Sequence, residues 1–175
     1  MAHSRISLIL ALLAFAALSR VLPHPPNVSA FAATAVFAGT YLQDWRRAGI
    51  LVLAVYVLSD LFLGAHGTMP FVYVALAIGA WLGNGFLAQR TAVRVVSINL
   101  MNSLIFFVIS NAGVWLTEGL YPATFSGLVT CYVAAIPFLQ YSVLGDLAYA
   151  AALFGGWALA ENSRVVENAR YANKT

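Results

Sequence analysis

Charge is what this sequence has least of. Only 9% of its 175 residues are Asp, Glu, Lys or Arg, while 62% are hydrophobic. A soluble domain carries charge on roughly a quarter of its residues. So few charges cannot cover a water-facing surface, and the composition demands an integral protein of the lipid bilayer. Cysteine is limited to Cys131, which excludes an intramolecular disulfide and behaves by default as a small hydrophobe. Catalytic signatures are missing as well: there is no Gly-rich phosphate loop, no G-x-S-x-G and no H-E-x-x-H. Hydrolase and ATPase chemistry therefore lack their groups, and the chain reads as a non-enzyme without a cofactor. The net charge of +3 comes from basic residues set between apolar runs. No basic patch with interleaved stacking aromatics is present, so nucleic acid is not an expected partner.

Apolar length is what the chain has in abundance. A helix needs about 20 apolar residues to cross the hydrocarbon core. Candidate spans occupy 6–22, 28–42, 48–64, 71–88 and 95–116, followed by a long apolar stretch over 123–160. Between them lie "PHPPN" (23–27), "QDWRR" (43–47), "GAHGTMP" (64–70), "AQRTAVR" (88–94) and "TEGLYP" (117–122), which have the character of membrane-edge loops. The first twenty residues mimic a signal peptide, with Arg5 before an apolar run and Ala17 and Ser19 after it. Because further spans follow, this segment is read as the first span.

Positive charge sets the topology. Six spans with a cytoplasmic N-terminus put Arg5, Arg46, Arg47, Arg90, Arg94, Arg164, Arg170 and Lys174 inside and only Arg20 outside. A seventh span would move the basic tail outside. The expectation is thus an all-α integral membrane protein of six transmembrane helices. A re-entrant or interfacial helix over 123–136 precedes the last span, and Pro137 lies near the start of that span. Residues 1–163 form one domain and 164–175 a cytoplasmic tail, with both termini on the cytoplasmic side of a bacterial inner membrane.

In that topology most polar side chains outside the cytoplasmic loops gather in the outer half. Charged groups within spans are expensive and usually mark a function. Asp60 ends the third span and Asp146 begins the sixth; each is either ionised and paired with Arg20 or protonated and donating a hydrogen bond. His66, Tyr73, Asn111, Trp115, Tyr121 and Tyr132 join them as candidate substrate-binding residues. An interfacial aromatic belt accounts for the tyrosines and tryptophans, but a mostly apolar cavity with a few placed polar groups accounts better for two aspartates. On the fifth span Asn99, Asn102, Ser103, Phe106 and Ser110 recur at steps of three or four, a stripe suited equally to interhelical hydrogen bonding and to lining a cavity. The histidines and aspartates are irregularly spaced, and no metal site is expected.

Small residues form a second pattern. Ala148, Ala152, Gly156 and Ala160 recur every fourth position on the last span, Ala75, Gly79 and Gly83 on the fourth, and Ala30, Thr34 and Ala38 on the second. Such stripes let helices approach closely, either for packing within the bundle or for docking and coupling to a partner.

The segments "PHPPNVSAFAATAVFAG" (23–39), "SDLFLGAHGTMPFVYVALAIGAWLG" (59–83), "SLIFFVISNAGVW" (103–115) and "YPATFSGLVTCYVAAIPFLQYSVLGDLAYAAALFG" (121–155) resemble an uncharacterised family of small bacterial transport proteins. That family is similar to the S (substrate-binding) components of energy-coupling-factor (ECF) vitamin transporters, with "PF…GD" leading into the last helix. The resemblance implies a six-helix S-component-like bundle with a pocket facing outward beneath the loops after spans 1, 3 and 5. It also implies an energising module, a transmembrane T component with ATPases, as partner. S components contact that module through A-x-x-x-A on the first helix, whereas here Ala11, Ala14 and Ala17 are spaced by three. The function expected is uptake of a small nutrient, a vitamin or precursor. The alternatives are a scaffold without ligand and a proton- or ion-coupled secondary transporter.

Overall fold

A computed structural model describes residues 14–20, 28–42 and 44–172. Expectations resting on Arg5, the start of the first span, the 23–27 loop and Lys174 lie outside these residues. All regular structure among the described residues is helical. Residues 14–20 form α1, followed by α2 (Phe31–Leu42), α3 (Trp45–Leu63), α4 (Met69–Phe86), α5 (Ala92–Thr117) and α6 (Phe125–Ala172).

The helix ends follow from local chemistry. Asp44 caps α3 by accepting from the backbone N–H groups of Arg46 (3.0 Å) and Arg47 (3.4 Å). Gly64 closes that helix at φ 97°, its N–H returning to the Asp60 carbonyl, a backbone setting that favours glycine. Pro70 sits in the first turn of α4, where its missing N–H costs nothing. Thr91 caps α5 through Arg94 N–H. The short connections make successive helices antiparallel. The loops 64–68 and 118–124 lie at one end of the bundle, here the upper end, and Asp44 and the loop 87–91 at the lower end.

The last stretch departs from expectation. No separate re-entrant or interfacial helix occupies 123–136. Instead α6 runs unbroken for 48 residues with Pro137 inside it, a length of about 72 Å at 1.5 Å per residue. Proline removes one helical hydrogen bond, to the carbonyl four residues back, and kinks a helix rather than ending it when the flanking turns are well held. Both flanks are held here. Tyr132 donates to the Val108 carbonyl (2.6 Å) above Pro137, and Ser103 meets Asp146 (2.6 Å) below it.

α2 is the central helix. All its residues from Phe31 to Thr40 are buried, as expected of a helix that is apolar on every side. Its tightest neighbour is α4. A Cβ at Gly83 would overlap the Val36 carbonyl oxygen, one at Gly39 would overlap the Ala80 carbonyl oxygen, and Thr40 Oγ1 lies 3.2 Å from the Gly83 carbonyl. The small residues Ala30, Thr34, Ala38, Ala75, Gly79 and Gly83 are all buried, so the second and fourth helices use theirs to pack within the bundle. The α6 stripe does not: Ala148, Ala152, Gly156 and Ala160 are all exposed, and a Cβ added at Gly156 would meet nothing within 4 Å. At the lower end α6 is anchored to α2 by rings. Trp157 lies 4.2 Å from Tyr41 and 5.6 Å from Phe37 between centroids, and Arg90 stacks over Tyr41 at 4.5 Å.

Among the described residues, three helices are long and apolar enough to cross a membrane, Met69–Phe86, Ala92–Thr117 and Phe125–Asn162. The outward faces carry exposed Leu61, Phe62, Val93, Leu116, Val133 and Leu144, a surface suited to lipid rather than water.

Candidate functional site

Three features at and below the upper end carry polar chemistry. The first is an ion pair. Arg20, from α1, reaches Asp60 near the end of α3, and the two side chains are 13% and 2% exposed. Arg20 also donates to Ser59 Oγ (2.7 Å) and lies 3.9 Å over the Tyr56 ring. The other carboxylate oxygen of Asp60 accepts from the Tyr73 hydroxyl on α4 (2.8 Å). Two of the predicted residues, Asp60 and Tyr73, therefore meet, and Arg20 joins them. Removing both charges from water is tolerated because Ser59 and the Tyr73 hydroxyl add hydrogen bonds beside the pair. This cluster ties α1, α3 and α4 together.

The second is a cavity of about 280 Å³ between α3, α4, α5 and α6. Four aromatic rings line it, Tyr56, Phe106, Phe107 and Phe138, together with the polar side chains of Thr68, Ser110, Asn111 and Ser142. Asn111 Nδ2 donates to the Phe107 carbonyl (2.8 Å), which leaves its amide oxygen available to accept. Tyr56 is held by an edge contact to Phe31 (ring centroids 4.6 Å apart) and by the Arg20 guanidinium on its face. The cavity owes its position to the relation of α5 and α6. Cys131 contacts the Asn111 carbonyl, and Asp146 contacts Ser103. Between those contacts α6 runs from 131 to 146 while α5 runs only from 111 to 103. The surplus length of α6 contains Pro137 and supplies the wall formed by Phe138 and Ser142.

The third is a polar core one turn below. Asn99, Asn102, Ser103 and Asp146 are 0%, 2%, 1% and 6% exposed. Asn102 donates to the Ala32 carbonyl on α2 (3.2 Å) and Asn99 to Val95 of its own helix (2.8 Å). The α5 stripe thus divides by depth. Its lower members hydrogen-bond within and between helices, while Phe106 and Ser110 line the cavity.

The remaining predicted residues are not gathered at the cavity. Tyr132 is committed to the Val108 carbonyl, and Trp115 Nε1 donates to the Pro122 carbonyl (2.9 Å). His66 is exposed in the 64–68 loop with Nδ1 3.5 Å from the Gly64 carbonyl, and Tyr121 is half-buried in the next upper loop. Asp146 lies beneath the cavity, not at its mouth. Tyr56, Thr68, Phe138 and Ser142 escaped sequence reasoning. Tyr56 had a usable signal, since it precedes Asp60 by one helical turn and so shares its face.

No curated protein and no solved structure gives a significant match to this chain. The chain belongs to DUF6580, a family of unknown function whose match covers residues 1–169.

Proposed function

We propose that this chain is a membrane-embedded substrate-binding and uptake protein for a small nutrient, a vitamin or vitamin precursor, built like the S components of ECF transporters. The observation that carries this reading is the cavity walled by Tyr56, Phe106, Phe107 and Phe138 with Asn111 and Ser110 among them. Its volume of about 280 Å³ falls at the lower edge of the range for small-molecule pockets, roughly 300–1,000 Å³. Rings enclose a flat, partly aromatic ligand while the amide and hydroxyls fix its polar edge.

In this proposal α1 to α6 are the six spans in a bacterial inner membrane, with both termini cytoplasmic and the upper end facing outward, as the placement of basic residues favours. The exposed stripe Ala148, Ala152, Gly156 and Ala160 is where an energising T component and its ATPases would dock. That exposed stripe also favours a second reading, a scaffold whose smooth face holds a partner helix and whose cavity holds only lipid.

Native mass spectrometry of the purified protein separates the two. Uptake predicts a small organic adduct that survives release from the detergent micelle and is lost in Asn111→Leu, while the variant keeps its helical circular dichroism. An adduct indifferent to Asn111→Leu and Phe106→Ala, or none accompanied by no thermal shift across a vitamin panel, supports the scaffold.

A further inference from the structure

The two aspartates within the helices are in opposite situations. Asp60 has a guanidinium and a phenol as partners. Asp146 is nearly as buried, yet among the described residues its carboxyl meets one hydrogen-bonding side chain, Ser103 (2.6 Å), and no cation.

A proton on Asp146 is what lets both short contacts of Ser103 be hydrogen bonds at once. Ser103 Oγ has one hydrogen but two acceptors in reach, the Asp146 carboxyl at 2.6 Å and the Asn99 carbonyl at 3.0 Å. One hydrogen cannot satisfy both in line. A proton on Asp146 Oδ2 resolves the chain: Asp146 donates to Ser103 Oγ, and Ser103 donates to the Asn99 carbonyl. The neighbourhood is also short of donors in general. Both Asn amides turn their NH2 groups to backbone carbonyls, and the buried Asn99 Oδ1 and Asn102 Oδ1 find no donor among the described residues.

Among the described residues, no charged group packs against Asp146 from a neighbouring helix to hold it ionised. α2 contributes no charged side chain, and its one phenol, Tyr41, lies at the lower end beneath Arg90. On α5 the only charge is Arg94, exposed in the first turn and more than two turns below Ser103. On α1 Arg20 is engaged at Asp60. On α6 itself, Tyr149 lies against Phe15, and Glu161 is about four turns away beside Arg90. An unpaired carboxylate in such surroundings costs several kcal/mol, and binding a proton removes that cost.

We propose that Asp146 is a proton-binding site, a carboxylic acid that keeps its proton at neutral pH in the folded protein and is wired through Ser103 to the Asn99 carbonyl. It lies directly beneath the cavity: Ser142 of the cavity wall is one turn above Asp146, and Phe106 one turn above Ser103. Water or a ligand admitted to the cavity floor would compete for that proton. The site stands on Ser103, Asn99 and Asp146 alone and does not depend on what the cavity binds.

Infrared difference spectroscopy of the full chain in lipid nanodiscs tests it. At about pH 7 ordinary surface carboxyls are ionised, so a protonated-acid carbonyl band that shifts in D2O reports a buried acid. The band is expected in the wild type, absent in Asp146→Asn and retained in Asp60→Asn. Ser103→Ala, which keeps the acid and removes its acceptor, should move the band to higher frequency; this holds the test open should Asp146→Asn fail to fold. Absence of the band in the wild type, its survival in Asp146→Asn, or an unmoved band in Ser103→Ala overturns the proposal. So does its disappearance on adding sodium at constant pH, which would make the site a metal-ion site with an ionised carboxylate.

Discussion

Arg20 and Asp60 occupy a place where neither charge could sit alone. With side chains only 13% and 2% exposed, loss of one partner strands the other, at a cost of about 3–5 kcal/mol for a buried pair. Asp60→Ala and Arg20→Ala are therefore each expected to lower the melting temperature in detergent sharply. The double replacement Arg20→Met with Asp60→Leu should recover much of the loss, because two apolar side chains leave no stranded charge. Additive losses in the double variant would show that the two charges are not coupled. At this scale the sequence was legible where a residue type was out of place. Two acids in apolar helices announce themselves, and pairing of Asp60 with Arg20 was one of two states open from the sequence. Tyr56 was not legible, because a tyrosine among valines looks the same whether it faces lipid, an interface or a cavity. The two acids also looked alike in sequence. Their difference is set by which neighbouring helix brings a cation, and that is a property of packing.

Helices α2 and α4 touch through their backbones, whereas α6 keeps its small residues on a free face. The same substitution on the two stripes should therefore have opposite consequences. Gly83→Leu forces side-chain atoms into the Val36 carbonyl and is expected to abolish a folded, monodisperse protein. Gly156→Leu enters open space and should leave the melting temperature within a few degrees of the wild type. Size-exclusion chromatography with a thermal ramp checks both, and equal damage from the two would mean that Gly156 packs inside the bundle. Spacing alone revealed each stripe but not which side it faced. Helix positions were clearer: the runs 28–42, 48–64, 71–88 and 95–116 lie on α2 to α5, with ends shifted by a few residues. The long last stretch misled for a physical reason. A proline after a re-entrant segment predicts the start of a new span, yet anchors on both sides carry one helix through Pro137. The polar tail after 163 contains no glycine or proline before its end, so nothing stops the helix where the apolar run stops.

For the molecule as a whole, the placement of positive charge predicts which end faces which compartment. In intact cells, Ala65→Cys in the upper loop should react with a membrane-impermeant maleimide, while Ala88→Cys at the lower end should react only after permeabilisation. The native Cys131 is buried and contributes little background. The reverse pattern would invert the proposed orientation and place the cavity end inside. Membrane character itself follows from composition alone. The cavity does not, since it arises where α6 runs further than α5 between shared contacts, and no single-helix pattern records that mismatch.

Mechanically, α6 is a beam with two soft points. Pro137 lacks a helical hydrogen bond, and the Gly155–Gly156 pair is the least stiff part of an α-helix interior. Each soft point has a clamp on its far side: Cys131 and Tyr132 on α5 above, the Trp157–Tyr41–Phe37 rings below. The segment between them, about 25 Å long at 1.5 Å per residue, carries both the Ser142 wall of the cavity and Asp146. Rocking of this segment against α5 would carry with it Asp146, held to Ser103, and Phe154, packed on Phe37. Any such rocking changes the volume of the cavity and the reach of Ser103 to Asp146 in one movement.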